Sequence, residues 1–207
     1  MKTKFFTPIL LITFSATALC CQSKKQNQPT EEAQQPETTI ISDSIRFCES
    51  TYPYQGGILI ANFGTEQLNP LNTEGRGYIA YHKDNRTEIL IPADGNLSGP
   101  KGMFVRDEHL FICDVNKIVV YNLQAPEKDL LPEGNLFVND LVAEGNTLYA
   151  SVTNTGKIFS IDISDPGAVG IPAEWVSIAG PNGLIIENGT MYVASYPADG
   201  KTTDNNV

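Results

Sequence analysis

From Ile45 onward no stretch of this chain sustains a helical period, so nothing there asks for an α-helical core. Positive charge is scarce too: 14 Lys and Arg stand against 24 Asp and Glu, a formal net charge of −10 at pH 7. An acidic surface argues against nucleic acid, whose phosphates need a basic footprint, and otherwise serves solubility. Histidine is limited to His82 and His109, placed like surface turn residues, which makes zinc a poor fit. The G-x-S-x-G elbow, the H-E-x-x-H zinc helix and the G-x-x-x-x-G-K-[ST] phosphate loop are all missing. Two of the four cysteines sit at positions 20 and 21, and the other two, Cys48 and Cys113, read as unpaired buried thiols. The single tryptophan, Trp175, reads as packing on an outer strand.

The first forty residues carry targeting chemistry instead of core. Lys2 and Lys4 precede an apolar run from Phe5 to Leu19, with small residues Ala16, Thr17 and Ala18 just before Cys20-Cys21. That run is short for a membrane span of about 20 residues. Cysteine at this place resembles a bacterial lipobox, in which the thiol is acylated and becomes the mature N-terminus. Cys21 follows a small residue and Cys20 follows Leu19, so Cys21 is the expected lipid attachment site. An ordinary cleaved secretory signal is the alternative. Residues 1–20 then form the signal and 21–42 a polar tether with almost nothing to bury, which should stay disordered. The expected location is the bacterial cell envelope, lipid-anchored and facing the periplasm or the cell surface, with no membrane contact beyond the anchor.

From residue 43 to 207 the chain repeats itself. Gly99-Pro100-Lys101-Gly102 before MFVRDEHLFICDV, Phe137-Val138-Asn139-Asp140 before LVAEGNTLYASVT, and Gly180-Pro181-Asn182-Gly183 before LIIENGTMYVASY are variations on one unit. Each is a polar turn, an apolar strand, a tight turn at Asp107-Glu108, Gly145-Asn146 or Asn188-Gly189, and a second strand rich in β-branched and aromatic residues. A further copy opens at Gly56-Gly57 with ILIANFG. Aligning Ile58, Leu110, Leu148 and Met191 gives steps of 52, 38 and 43 residues, the period of a propeller blade. Third strands follow at Tyr78–Tyr81, Lys117–Asn122 and Lys157–Asp162, and fourth strands at Thr87–Pro92, from Asp129, and at Ala173–Ile178. The predicted fold is all-β, a β-propeller with about three and a half blades present of six, and so a C-terminally truncated ring. A four-bladed ring completed by an N-terminal strand at Ser44–Cys48 is the rival. Tyr52-Pro53-Tyr54 reads either as lining the channel mouth or as packing a blade.

In a propeller the first strand of each blade lines the channel, so the residues just before it share one spot near the axis. Here these are Lys101, Asn139 and Asn182. A ring of amide and carboxylate oxygens suits a hard divalent cation such as calcium. Asn-Asp and Asn-Gly also cap turns with no ligand at all, which is the competing reading.

At these same residues the chain resembles the senescence-marker-protein (regucalcin-like)/gluconolactonase family. The resemblance is carried by Pro181-Asn182-Gly183-Leu184 before MYVAS, by Asn139-Asp140, and by Glu49-Ser50 ahead of GGILIANFG, over about Phe47 to Ser195. The Pro-Lys-Gly-Met turn at 100–103 is similar to NHL-repeat propellers, many of them scaffolds. The family resemblance implies a six-bladed ring with a divalent cation, Glu49 and Asn182 as metal ligands, and Asn139 lining the substrate or metal pocket; Lys101, at the same place in its own copy, is a further candidate for substrate binding. It implies hydrolysis of a small lactone or ester, the cation polarising the carbonyl while an aspartate ligand from a later blade, beyond Val207, helps activate water. Phe137 departs from the family, whose lactonases carry an arginine two residues before Asn-Asp. A non-catalytic propeller that binds a protein or glycan partner is the alternative function.

Overall fold

The computed structural model describes residues 45–123 and 126–196, with side chains throughout except at 126–128. The expected signal and tether, with Cys21, lie outside the described residues.

Two-residue turns with left-handed backbone build the hairpins. Asp84-Asn85 (φ 49° and 60°), Asp107-Glu108 (46° and 64°) and Asn188-Gly189 (51° and 74°) all have both central residues at positive φ, the geometry that matches strand twist. They close β3 (Tyr78–Lys83) on β4 (Arg86–Ile91), β5 (Met103–Arg106) on β6 (His109–Cys113), and β13 (Pro181–Glu187) on β14 (Thr190–Ser195). Gly145 alone supplies the positive φ between β9 (Val138–Glu144) and β10 (Thr147–Val152).

The strands fall into four antiparallel sheets in strict chain order. Sheet 1 joins β1 (Cys48–Tyr54), β2 (Gly57–Asn62), β3 and β4, and sheet 2 joins β5, β6, β7 (Ile118–Tyr121) and β8 (Pro126–Leu130). Sheet 3 joins β9, β10, β11 (Lys157–Asp162) and β12 (Ala173–Ser177), and sheet 4 is the β13–β14 hairpin. The first strands of successive sheets lie against one another, β1 by β5, β5 by β9 and β9 by β13. Among the described residues there is no α-helix, only a single 3₁₀ turn at Pro166–Ala168. The architecture is all-β and propeller-like.

Strand alternation divides the core in two. Leu110 and Ile112 of β6 face sheet 1, packing with Leu59, Ile79 and Leu97, while Phe111 and Cys113 face sheet 3 with Leu148, Val152 and Phe159. Sheet 2 is therefore covered on both faces, which is why its middle strands read as unbroken apolar runs, LFIC and IVVY.

Several expectations are corrected here. The first copy begins at Cys48, not at Gly56-Gly57: β1 pairs with β2 around a turn at Gln55-Gly56. Cys48 thus belongs to sheet 1, and among the described residues no strand ending there pairs with the fourth sheet. Of the two readings of Tyr52-Pro53-Tyr54 the rings follow packing: Tyr52 lies edge-on to Phe104 of sheet 2 at 6.2 Å, and Tyr54 edge-on to Tyr81 of its own sheet at 6.0 Å. The fourth strand of sheet 2 ends at Leu130 instead of running on from Asp129. Both cysteines are free, yet only Cys113 is buried and Cys48 is exposed. Burial pushes the Cys113 thiol well up, which keeps it protonated and inert. Trp175 lies on the outer strand β12, against Tyr149 at 4.8 Å and still 49% exposed.

Candidate functional site at the inner strand starts

Register puts the predicted residues at one repeat position. Ile60, Ile112, Ala150 and Val193 of the second strands pair with Thr51, Met103, Leu141 and Leu184 of the first. Two residues before each stands Glu49, Lys101, Asn139 or Asn182. Since the first strands are neighbours, the four residues mark one end of one row.

Their environments differ. Glu49 is solvent-accessible, yet desolvation by surrounding protein pushes its carboxyl up; Lys101 pulls it down and Asp140 adds to the rise. Lys101 is wholly buried, its Nζ donating to Gly99 O at 2.7 Å and lying 5.7 Å and 5.6 Å from the Phe63 and Phe137 ring centres. Burial lowers its pKa, opposed first by Asp114, then by Cys113 and Glu49. Phe137 is thus one wall of the lysine's enclosure. Asn139 is buried and its carbonyl accepts from Gly102 N at 2.9 Å. Asn182 is half-buried, and its carbonyl accepts from Ser151 Oγ at 2.5 Å.

Two carboxylates missed in the sequence hold this end together. Asp140 accepts from Leu141 N at 2.8 Å through Oδ1 and from Leu184 N at 2.7 Å through Oδ2, while its own N–H donates to Ser151 Oγ at 3.0 Å. Thr153 Oγ1 donates to Pro181 O at 2.8 Å, a second tie between sheets 3 and 4. Burial raises the Asp140 pKa, and the two N–H bonds only partly offset that. Asp114, itself buried, accepts from Gly99 N at 2.6 Å and from Ser98 N at 3.1 Å, shaping the turn before Lys101. The sequence signal for Asp140 is positional: the equivalent residues in sheets 2 and 4 are Gly102 and Gly183. A Cβ on Gly102 would lie 2.7 Å from Asp140 Oδ1 and 2.8 Å from Asn139 O. The neighbouring strands carry no side chain where this carboxylate needs room. Gly102→Ala is accordingly expected to cost about 1–3 kcal/mol by overpacking, visible as a lower urea midpoint at unchanged m-value. An unshifted midpoint would show that the strands separate freely at this point.

Oxygen donors at three of the four equivalent positions, Glu49, Asn139 and Asn182, match the chemistry of a hard cation. The fourth holds an ammonium. Among the described residues no group of three or more His, Cys, Asp or Glu gathers into a denser set.

No protein-family model matches the sequence, and no curated protein matches it. Solved structures do. The crystal structure of the computationally designed Ika8 protein aligns with 72% of this chain and 43% of its own, at 12% identity and a TM-score of 0.50. The designed Ika4 protein aligns over 75% of this chain and 88% of its own, at 12% identity and a TM-score of 0.53. A nidogen/laminin complex aligns over 62% of this chain and 45% of its own, at 19% identity and a TM-score of 0.43. The chain thus spans less than half of the Ika8 protein and most of Ika4. At these identities the designed proteins speak for the fold alone.

Proposed function

We propose that the four sheets are blades of a larger ring, three and a half of six, tethered to the bacterial envelope through lipid on Cys21. The mouth formed by the inner strand starts binds a divalent cation, calcium, and serves hydrolysis of a small lactone or ester. The ring is supported by an open side. β14 pairs on one side only among the described residues, whereas β2, β6 and β10 pair on both. The outward face of the hairpin shows Ile185 at 61% and Tyr192 at 41% exposure, apolar surface that a further blade would cover.

The site reading rests on a single observation, the register that places Glu49, Asn139 and Asn182 at one repeat position. In it the Glu49 carboxylate and the Asn182 side-chain oxygen hold the cation, and Asn139 lines the pocket beside them. A bound divalent cation polarises an ester carbonyl and stabilises charge on its oxygen. Asp140, with both oxygens taking backbone N–H groups, positions the Asn182 turn instead of attacking. Lys101, fully enclosed, acts on substrate only through its field.

Thermal melts with calcium and with chelator test this. A ligand that binds only the folded state adds about 2.7 kcal/mol at a hundredfold excess over Kd. The midpoint is expected to rise with calcium in the wild type and to stay put in Asn182→Ala; a full response in the variant would remove Asn182 from the ligand set. One observation favours the second reading, a scaffold that binds a protein or glycan. Lys101, Asp114, Asp140, Ser151 and Thr153 are all bonded to backbone as ties within and between sheets. In that case chelator changes nothing.

A further inference from the structure

One connection breaks the repeat. Between β2 and β3 the chain runs through fifteen residues, 63–77, where the equivalent connections after β6 and β10 take four each, 114–117 and 153–156. The excess is a built structure. A Cβ on Gly64 would run into Arg76 O, and Asn62 pairs with Tyr78, so the two ends of the loop close on each other as in an Ω-loop. Asn72 is buried inside it, donating through Nδ2 to Asn69 O at 3.0 Å and Ser98 O at 2.9 Å and accepting from Glu74 N at 3.1 Å. Gly75 N donates to Ser98 Oγ at 3.0 Å, a second brace on the turn before β5.

The loop leaves β2 at the end of the row that carries Glu49, since Asn62 also pairs with Cys48. It frames a concavity of about 670 Å³ lined by Glu66, Gln67, Leu68, Asn69, Glu74 and Arg76. Among the described residues the Glu66 carboxylate, the Gln67 amide and Asn69 Nδ2 make no hydrogen bond. Glu74 and Arg76 stand 3.8 Å apart, beyond hydrogen-bond range. Donors and acceptors therefore share one hollow, on a braced backbone, without satisfying one another. Their charges nearly cancel: two carboxylates, the Arg76 guanidinium and, at the rim, Arg46, whose Nη2 donates to Glu66 O at 3.1 Å. A charged ligand meets a like charge there whatever its sign. A hydroxyl, which donates and accepts at once, suits the mixture. Leu68, 66% exposed, adds an apolar edge.

We propose that this loop is a saccharide-binding site, taking an uncharged oligosaccharide whose hydroxyls bond Glu66, Gln67, Asn69 and Arg76 and whose C–H face covers Leu68. The bracing of Asn72 and Ser98 holds the polar groups in place before the sugar arrives, so little ordering is left for binding to cost. The site stands apart from the cation reading, and it gives the scaffold reading its partner.

Calorimetric titration of the full chain with maltotriose, cellotriose and chitotriose tests this. At least one trimer is expected to bind the wild type, and Gln67→Ala and Arg76→Met, both at exposed side chains, to weaken it by about tenfold or more each. Two controls are expected to leave the affinity unchanged: Glu133→Gln, on the connection from β8 to β9, and Asn182→Ala. Trigalacturonate, an anionic trimer, is expected to bind at least about tenfold more weakly than the uncharged one; tighter binding overturns the uncharged assignment. If Asn182→Ala loses the sugar while Gln67→Ala and Arg76→Met keep it, the sugar sits at the inner strand starts and the loop site is overturned. If no trimer binds the wild type, the loop site falls and the scaffold reading is left with a protein partner. The calcium melts decide separately between that reading and the cation one.

Discussion

Asp114→Ala is expected to cost about 3–5 kcal/mol, a large part of the stability of a domain this size, because it strands a buried positive charge. Asp114 has two tasks. Its carboxylate caps the backbone N–H groups of Ser98 and Gly99, and its charge is the largest influence keeping Lys101 protonated against burial. Alanine removes both at once. The N–H groups of Ser98 and Gly99 lose their acceptor inside the protein, and the ammonium is left to Glu49. Asp114→Asn separates the tasks: the amide oxygen still takes Gly99 N–H, the charge is gone, and the loss should be the smaller of the two. The double variant Asp114→Ala/Lys101→Met is expected to be more stable than the sum of its parts, since the charge to be compensated has also been removed. Urea unfolding of the wild type, the three single variants including Lys101→Met, and the double variant measures this. A loss under about 1 kcal/mol for Asp114→Ala would mean that water reaches Lys101 and that the enclosure opens in solution.

The repeat made most of the strands and their turns legible, since each copy pairs an apolar run with a turn whose residues accept positive φ. It failed where tertiary pairing overrides local character. β1, CESTYPY, carries Glu, Ser and an internal Pro53, and reads as loop; it is a strand because β2 offers a partner and Pro53 needs no hydrogen bond there. β8, PEKDL, has almost no strand propensity and forms by pairing with β7. At the candidate site the positions were readable and their exposure was not. Lysine is almost never fully buried, so Lys101 reads as a residue that meets substrate, whereas its role depends on Phe63 and Phe137, 38 and 36 residues away. Asp140 stayed hidden behind Asn139. Its partners come from three separate stretches of chain, Gly102 just before β5, Leu184 in β13 and Ser151 in β10, and only the assembled row shows that the glycines are small on its account.

Asp140→Ala should cost about 3 kcal/mol and take the calcium response with it, although Asn182 itself is untouched. Leu184 N–H loses its acceptor, Leu141 N–H loses another, and a gap opens between Gly102 and Gly183 that neither glycine can fill. Among the described residues, the side-chain hydrogen bonds then left between the start of β13, which bears Asn182, and sheet 3 are those of the Ser151 and Thr153 hydroxyls. Its pH dependence separates this residue from a generic packing loss. Burial holds the folded-state pKa of Asp140 above that of the unfolded chain, so folding takes up a proton at this carboxyl. The stability it contributes is complete below the unfolded carboxylate pKa of about 3.9 and is lost as pH rises through the raised folded value. Glu49 is shifted the same way, also chiefly by desolvation, with its solvent access weakening the effect. The wild type should therefore gain stability through these groups as pH falls through their raised folded values, while Asp140→Asn, which cannot titrate, gains less and falls further behind. If instead the gap between wild type and Asp140→Asn narrows on acidification, the Asp140 carboxylate is better solvated than its neighbours imply. The row would then be held by Ser151 and Thr153, and Ser151→Ala would become the variant that frees the Asn182 turn.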